Sequence, residues 1–233
     1  MSDFLPDFEK YEQFVKVQFA EKFSLFSDLL LEYNKKYNLT SITEQKEIVY
    51  KHFIDSLAGE FLFPQGKSVL EVGSGAGFPS LPLKIVREDL HFTLVESTGK
   101  KCEFLKTAFK ELGLSHIEVI NARAEDLAKD EKYREKFDVC CARAVARLNT
   151  LSEYCIPFIK VGGEMIAYKG EAQEEVTEAK GAVSLLGGGK VREICYELPE
   201  GFGKRTLVCI PKEKTTPVKY PRGNGKERRA PLS

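Results

Sequence analysis

The sequence has none of the charge imbalance that marks many nucleic-acid binders: Lys+Arg and Asp+Glu both total 35, a formal net charge of zero. Without a global positive field, any RNA or DNA binding has to come from locally arranged charge. Long apolar runs are missing as well. None approaches the ~20 residues a membrane-spanning helix needs. The opening stretch MSDFLPDFEKYE is acidic and lacks the charged-then-apolar layout of a signal segment. The six cysteines (Cys102, Cys140, Cys141, Cys155, Cys195, Cys209) form no C-x-x-C pair, and histidines number three. That spacing argues against a zinc site, and a disulfide framework does not suit a chain this large. Reduced, mostly buried thiols in a cytoplasmic protein are the expectation.

What is present suits one large domain, or one with an appendage: 233 residues, 42% hydrophobic, with 16 Phe and 9 Tyr to build a core. Phe8, Tyr11, Val15, Phe19, Phe23, Phe26, Leu30 and Tyr33 recur at spacings of three and four, one stripe of an amphipathic helix over 8–33. NLTSITEQKEIVYKHFIDSLA then reads as one or two further helices, with Thr43 as N-cap and Lys46 where a capping box wants Glu. Residues 1–60 are thus expected to form a helical cap.

From Lys67 the pattern changes. KSVLEVG, HFTLVES, IEVINAR, FDVCCAR and GEMIAYKG are strand-length runs separated by helical patterns such as GKKCEFLKTAFKELGL. Strands alternating with helices predict an α/β fold, a parallel sheet covered on both faces. Two more strands, near 190–197 and 204–210, lie too close for an intervening helix and are expected to pair antiparallel at one edge. That makes seven strands in a core over 61–211. The segment 212–233 carries seven Lys/Arg against two Glu, a net +5, with Pro and Gly interleaved. It reads as a mobile basic tail.

The most informative stretch is LEVGSGAGFPSLPL, residues 70–83. A P-loop would follow its last glycine with Lys and Ser or Thr, but Phe78-Pro79 follows. A dinucleotide fingerprint would need glycine at 78 or 80, where Phe and Ser stand. What remains is E-x-G-x-G-x-G: Glu71, Gly73, Gly75, Gly77. A carboxylate before the turn repels a pyrophosphate and suits a ligand bearing an ammonium or sulfonium. S-adenosyl-L-methionine has both, and the glycines let the backbone pass close beneath it. Glu96 closes the next strand, where a carboxylate accepts ribose hydroxyls. The third strand ends in Ala124-Glu125-Asp126, placed to read an adenine edge. Three successive strands end in cofactor chemistry on one edge of the sheet.

NLTSI, KHFIDSL, LEVGSGAGFPSLPL, VEST-GKKCEFL, ARAED and CARAVARL, in this order, resemble the RsmG (GidB) family over roughly residues 30–170, plus the tail ending in PLS. The resemblance implies a Rossmann-like class I methyltransferase acting on guanine N7 in the 530 loop of 16S ribosomal RNA, with S-adenosylmethionine as donor. It implies cofactor contacts at Gly73, Phe78, Glu96, Ser97, Thr98, Ala124, Glu125 and Arg143, and places Asp55, with His52, beside the pocket. The family usually shows G-F-P-G; here the last position is Ser80, which either lowers cofactor affinity, if a backbone approach needs glycine there, or serves as a helix N-cap.

Guanine N7 has an in-plane lone pair and no proton, so methylation there needs no general base. No residue is therefore expected to act as one; Arg143 and Asp55 are positioning candidates, and positioning and water exclusion carry the rate. His91 and His116, at strand starts, read as structural. Arg123, Arg143, Arg147 and Lys169 follow strand ends on the cofactor's edge, where RNA phosphates must pass. Arg143 and Arg147 share a face if helical. Arg228 and Arg229 in the tail add phosphate contacts. The expected partner is 16S RNA or the 30S subunit, bound by a monomer. The competing readings are a small-molecule methyltransferase and a non-catalytic RNA-binding module that retains the cofactor.

Overall fold

In the computed structural model, the β-branched runs form strands β1 (Ser68–Val72), β2 (His91–Glu96), β3 (Ile117–Asn121), β4 (Phe137–Arg143), β5 (Ile159–Lys169), β6 (Arg192–Glu197) and β7 (Lys204–Pro211). Residues 5–233 are described; residues 1–4 of the acidic opening lie outside the described residues. The strands make one sheet in the order β3-β2-β1-β4-β5-β7-β6. Neighbours are parallel from β3 through β5, while β7 runs antiparallel to both β5 and β6. The sheet has the seven strands and the antiparallel edge pair that the strand spacing predicts, in the Rossmann-like form that the resemblance implies. Chain order reverses between β1 and β4, and an open α/β sheet has its ligand crevice at such a switch point.

The sheet is covered on both faces, which is why β1 and β2 read as almost continuous apolar runs. One face is packed by N-terminal helices, α5 (Ser80–Val86) and α6 (Gly99–Glu111). α6 turns Cys102, Phe104, Leu105 and Ala108 inward, the stripe of an amphipathic helix. The other face is packed by α7 (Ala124–Leu127), α8 (Leu148–Cys155) and α9 (Gln173–Leu185). No helix among the described residues is long and apolar enough to cross a membrane.

The N-terminal stripe is not one helix. α1 (Phe8–Gln13) widens into a π-helical stretch, Phe14–Gln18, and breaks at Phe19 before α2 (Ala20–Tyr37) begins. The wide turn and the break keep Tyr11, Val15, Phe23 and Phe26 all buried. α2 ends at Asn38 with φ +49, a left-handed cap that Asn tolerates. The next run is α3 (Gln45–Glu47), a π-helical segment Ile48–Ile54, and α4 (Asp55–Leu57). Its cap is Glu44 rather than Thr43: the Glu44 carboxylate accepts the Glu47 N–H at 2.8 Å. Phe26, from α2, and Phe53 lie 5.4 and 6.2 Å from the Phe78 ring, fastening the helical layer to the glycine turn.

The basic segment 212–233 is packed against the core rather than extending from it as a tail. Lys212, Thr216, Tyr220 and Glu227 are buried, and a short helix, α10 (Lys226–Arg229), lies near its end. Its backbone is held from the core. Arg134 donates to the carbonyls of Thr216 and Tyr220, both at 2.8 Å. Arg222 pairs with the fully buried Glu153 at 2.7 Å. Excess positive charge does not disorder a chain whose cations find carbonyls and carboxylates inside the fold.

Candidate active site

The glycine turn lies where β1 leaves the sheet. Gly73 and Ser74 donate to the Val95 carbonyl at 2.8 and 3.2 Å, tying the turn to β2. Gly73, Gly75 and Gly77 have φ of +68°, +55° and +85°, a region L-residues avoid. Their surroundings divide their roles. A Cβ on Gly77 would stand 2.6 Å from Leu81 Cδ1, and one on Gly73 2.7 Å from Val145 Cγ2. A Cβ on Gly75 would find only the Gly73 carbonyl, at 3.8 Å. Gly77 therefore serves close packing of α5, while Gly75 presents bare backbone to open space.

Glu96 holds this turn from the end of β2. One carboxylate oxygen accepts the Gly75 N–H at 3.0 Å; the other accepts the Thr98 N–H at 2.8 Å. Beside it opens a cavity of about 290 Å³ at the carboxyl ends of β1, β2 and β3. Gly73, Ser97, Ala124, Glu125, Tyr154 and Arg228 line it. Of the cofactor residues expected from the sequence, Gly73, Ser97, Ala124 and Glu125 line it, Gly75 and Thr98 are bonded to Glu96, Gly77 packs against α5, and three others lie elsewhere. Glu71 has no exposed surface and does not line the cavity. Both of its carboxylate oxygens lack a hydrogen-bond partner, as does the buried Ser80 hydroxyl. Burial pushes the Glu71 carboxyl up to about 8, partly opposed by nearby Ser80, Ser74 and Arg143. Ser80 is the first residue of α5 and not its cap; that place falls to Pro79.

The other two are Phe78 and Arg143, which belong to a buried polar-aromatic cluster under the helical layer. The His52 ring stacks on Phe78 with centroids 4.3 Å apart and planes 15° from parallel. Arg143 Cζ lies 5.7 Å from the Phe78 centroid. Arg143 donates to the Lys51 carbonyl at 2.6 Å and reaches His52 Nδ1 at 3.0 Å. A guanidinium can only donate, so Nδ1 accepts and the imidazole proton resides on Nε2, facing Thr40 Oγ1 at 2.9 Å. Burial, then the Arg143 charge, lowers the His52 pKa to about 3. Asp55 completes the cluster: Arg143 Nη1 is 3.3 Å away, Arg205 Nε 3.6 Å, and the Tyr196 hydroxyl donates at 3.0 Å. Sequence reasoning paired Asp55 with the pocket but missed Tyr196 and Arg205, which come from a distant segment outside any motif, and gave no role to Thr40 within NLTSI.

The cations separate by surroundings. Arg123 lines the cavity rim with its side chain 70% exposed, 3.8 Å from Glu125. Arg147 is exposed and pairs with Glu178 at 2.8 Å. It shares no helical face with Arg143, because Arg143 ends β4, Ala144 has φ +56°, and Arg147 is extended ahead of α8. Lys169 is 12% exposed and held at 2.6 Å by both the Ala146 carbonyl and Glu175, so its ammonium is already committed. Arg228 reaches the cavity from the packed C-terminal segment, and Arg229 is exposed beside it, donating to the Asn224 carbonyl at 2.6 Å. A second cavity, of about 840 Å³, opens beside β6 and β7, with Arg147, Lys204 and Arg205 facing Glu175, Glu193 and Glu197.

Known proteins share this architecture. The solved S-adenosylmethionine-dependent methyltransferase from Aquifex aeolicus superposes with TM-score 0.54 at 18% identity, over 74% of this chain and 96% of that one. An S-adenosylmethionine-dependent O-methyltransferase from Thermotoga maritima gives 0.54 at 14% identity, over 81% and 72%. Both likenesses establish the fold. Sequence relatives are nearer. Ribosomal RNA small subunit methyltransferase G of Lactobacillus acidophilus is 43% identical over 99% of this chain and 98% of its own length. Its counterpart in Brevibacillus brevis is 48% identical over 91% and 90%. The family model described as rRNA small subunit methyltransferase G (GidB) matches residues 19–197. With that match spanning most of the fold described above, the chain belongs to the rRNA small subunit methyltransferase G family.

Proposed function

We propose that this protein transfers a methyl group from S-adenosyl-L-methionine to N7 of a guanine in the 530 loop of 16S ribosomal RNA, acting in the cytoplasm as a monomer. The observation that supports it best is the cavity at the ends of β1, β2 and β3, lined by Gly73, Ser97, Ala124 and Glu125, with Glu96, between the lining residues Val95 and Ser97, accepting the Gly75 N–H. These residues fit the donor. Gly75 leaves open the space a Cβ would occupy, and Glu96 is a carboxylate acceptor at the strand end where ribose hydroxyls are read. Ser97, Ala124 and Glu125 would hold the adenosine, and the backbone of Gly73 and Gly75 the remainder.

When bound, S-adenosylmethionine supplies a methyl group on a positively charged sulfur, which a guanine N7 lone pair accepts without any proton leaving. The residues of this chain accordingly contribute position and exclusion of water rather than a base. His52 is neutral, buried, and occupied on both nitrogens. His91 and His116 lie 4.8 Å from each other at the amino ends of β2 and β3, away from the cavity. The His52–Phe78–Arg143–Asp55 cluster fixes the helical layer against the glycine turn, which makes it a positioning device. Arg123, Arg147 and Arg229 supply phosphate contacts at the same sheet edge, and the RNA presents a single splayed-out base. The substrate is either the naked RNA or the assembled 30S subunit.

The test is transfer of labelled methyl to 16S RNA, 30S subunits and transfer RNA by wild type and Glu96→Ala. Label entering only ribosomal RNA, with at least a tenfold loss in the variant, is expected. Cofactor binding with no RNA labelled would overturn the proposal.

A further inference from the structure

We infer that the C-terminal strap, residues 212–233, forms a wall of the methyl-donor pocket and that Arg228 binds the adenosine portion of the donor. This rests on the reading of the 290 Å³ cavity as the donor site. The strap reaches that cavity through a series of anchors. Lys212 is buried with its ammonium 3.0 Å from the Ile156 carbonyl. Arg134 then takes the carbonyls of Thr216 and Tyr220. Arg222 grips Glu153 through its backbone N–H at 2.9 Å and two side-chain nitrogens. Finally Thr150 donates to the Glu227 carbonyl at 2.9 Å, and the Gly223 N–H to the Glu227 carboxylate. Gly225, at φ +71°, turns the chain into α10.

The result is that Gly225 and Arg228 join Gly73, Ser97, Ala124 and Glu125 around one cavity. The Arg228 guanidinium is held on the protein side by the Val145 carbonyl at 3.4 Å, and it lies beside the Tyr154 hydroxyl, another cavity residue. Val145 is the side chain that a Cβ on Gly73 would meet, so the strap and the glycine turn share a neighbour.

Charge decides which part of the donor lies against Arg228. The sulfonium and ammonium of S-adenosylmethionine are cationic and are repelled by a guanidinium. The adenosine is neutral, and a planar guanidinium stacks on aromatic rings. Arg228 lines the same cavity as Ala124 and Glu125, the residues read as holding the adenosine, and the Tyr154 hydroxyl beside it also feels the Glu125 charge.

The experiment is isothermal titration of the full chain, without RNA, using S-adenosylmethionine and 5′-methylthioadenosine, which lacks the amino-acid part. Arg228→Ala should weaken both ligands by about tenfold, the size expected for a lost charged contact. Arg228→Lys, which keeps the charge but not the plane, should recover little. Lys226→Ala, exposed on the same short helix, should match wild type. Circular dichroism and a thermal melt report whether each variant is folded. Unchanged binding in folded Arg228→Ala overturns the inference, and tighter binding overturns it by making the strap a cover. Loss confined to S-adenosylmethionine overturns the adenosine assignment. If wild type binds neither ligand, the donor-site reading itself fails, a result distinct from all of these.

Discussion

Nη2 of Arg143 stands 3.0 Å from Nδ1 of His52, and this one contact fixes the imidazole as neutral with its proton on Nε2. The pH consequence has a definite sign. The folded protein keeps His52 uncharged down to about pH 3, whereas the unfolded chain protonates it below its ordinary 6.5. The unfolded state binds the extra proton in that window, so stability is lost as pH falls through it. Between pH 6.5 and about 5 the loss due to this residue is roughly 2 kcal/mol at most. Urea denaturation of wild type and His52→Gln over that range should show the shallower pH slope in the variant. Parallel slopes would mean that His52 is not held neutral.

Glu71 gives the opposite slope. Its folded pKa of about 8 lies above the ordinary 4.5, so the folded state retains a proton that the unfolded chain has released. Its unfavourable effect grows as pH rises from 4.5 to 8. Glu71→Gln, which keeps the shape without the titration, should therefore gain stability relative to wild type between about pH 6 and pH 8. A variant that is equally destabilised at every pH would contradict this.

The glycines should fail differently. Gly77→Ala drives a methyl into Leu81 and imposes a disfavoured φ, a cost of about 1–3 kcal/mol and several degrees in Tm. Gly75→Ala meets open space, so its folding cost is limited to the left-handed conformation, about 1–2 kcal/mol. Its larger effect should appear as weakened S-adenosylmethionine binding. Melting curves and titration of both variants check the division.

How much of this was legible in the sequence follows from the range of the interactions involved. The strand positions and the glycine turn are legible, because alternation and a fixed E-x-G-x-G-x-G spacing are local. Glu96 was readable for the same reason, one strand downstream of the turn. The C-terminal segment was not. Its composition reads as a tail, and what orders it is Arg134 and Glu153, more than 60 residues away in the chain. Lys169 looked available from its strand-end position, yet Glu175 on the next helix takes its charge. Glu71 was placed correctly in the motif and wrongly in space, since the sequence does not say which face of β1 it occupies.

The strap's dependence on Glu153 is open to direct trial. Arg222→Ala leaves a fully buried carboxylate with the backbone N–H of residue 222 but without its cation, and loss of one member of such a pair costs about 3–5 kcal/mol. Adding Glu153→Gln removes the stranded charge and should restore part of that loss. Chemical denaturation of the single and double variants measures both numbers. A single variant within about 0.5 kcal/mol of wild type would mean that the strap is not anchored there.

The central claim is the identity of the methylated atom. 16S RNA and 30S subunits would be incubated with the protein and radiolabelled S-adenosylmethionine, then digested to nucleosides and resolved. The account predicts label in 7-methylguanosine, mapping to a single position in the 530 loop. Label in any other nucleoside, or none in ribosomal RNA alongside measurable cofactor binding, would contradict it.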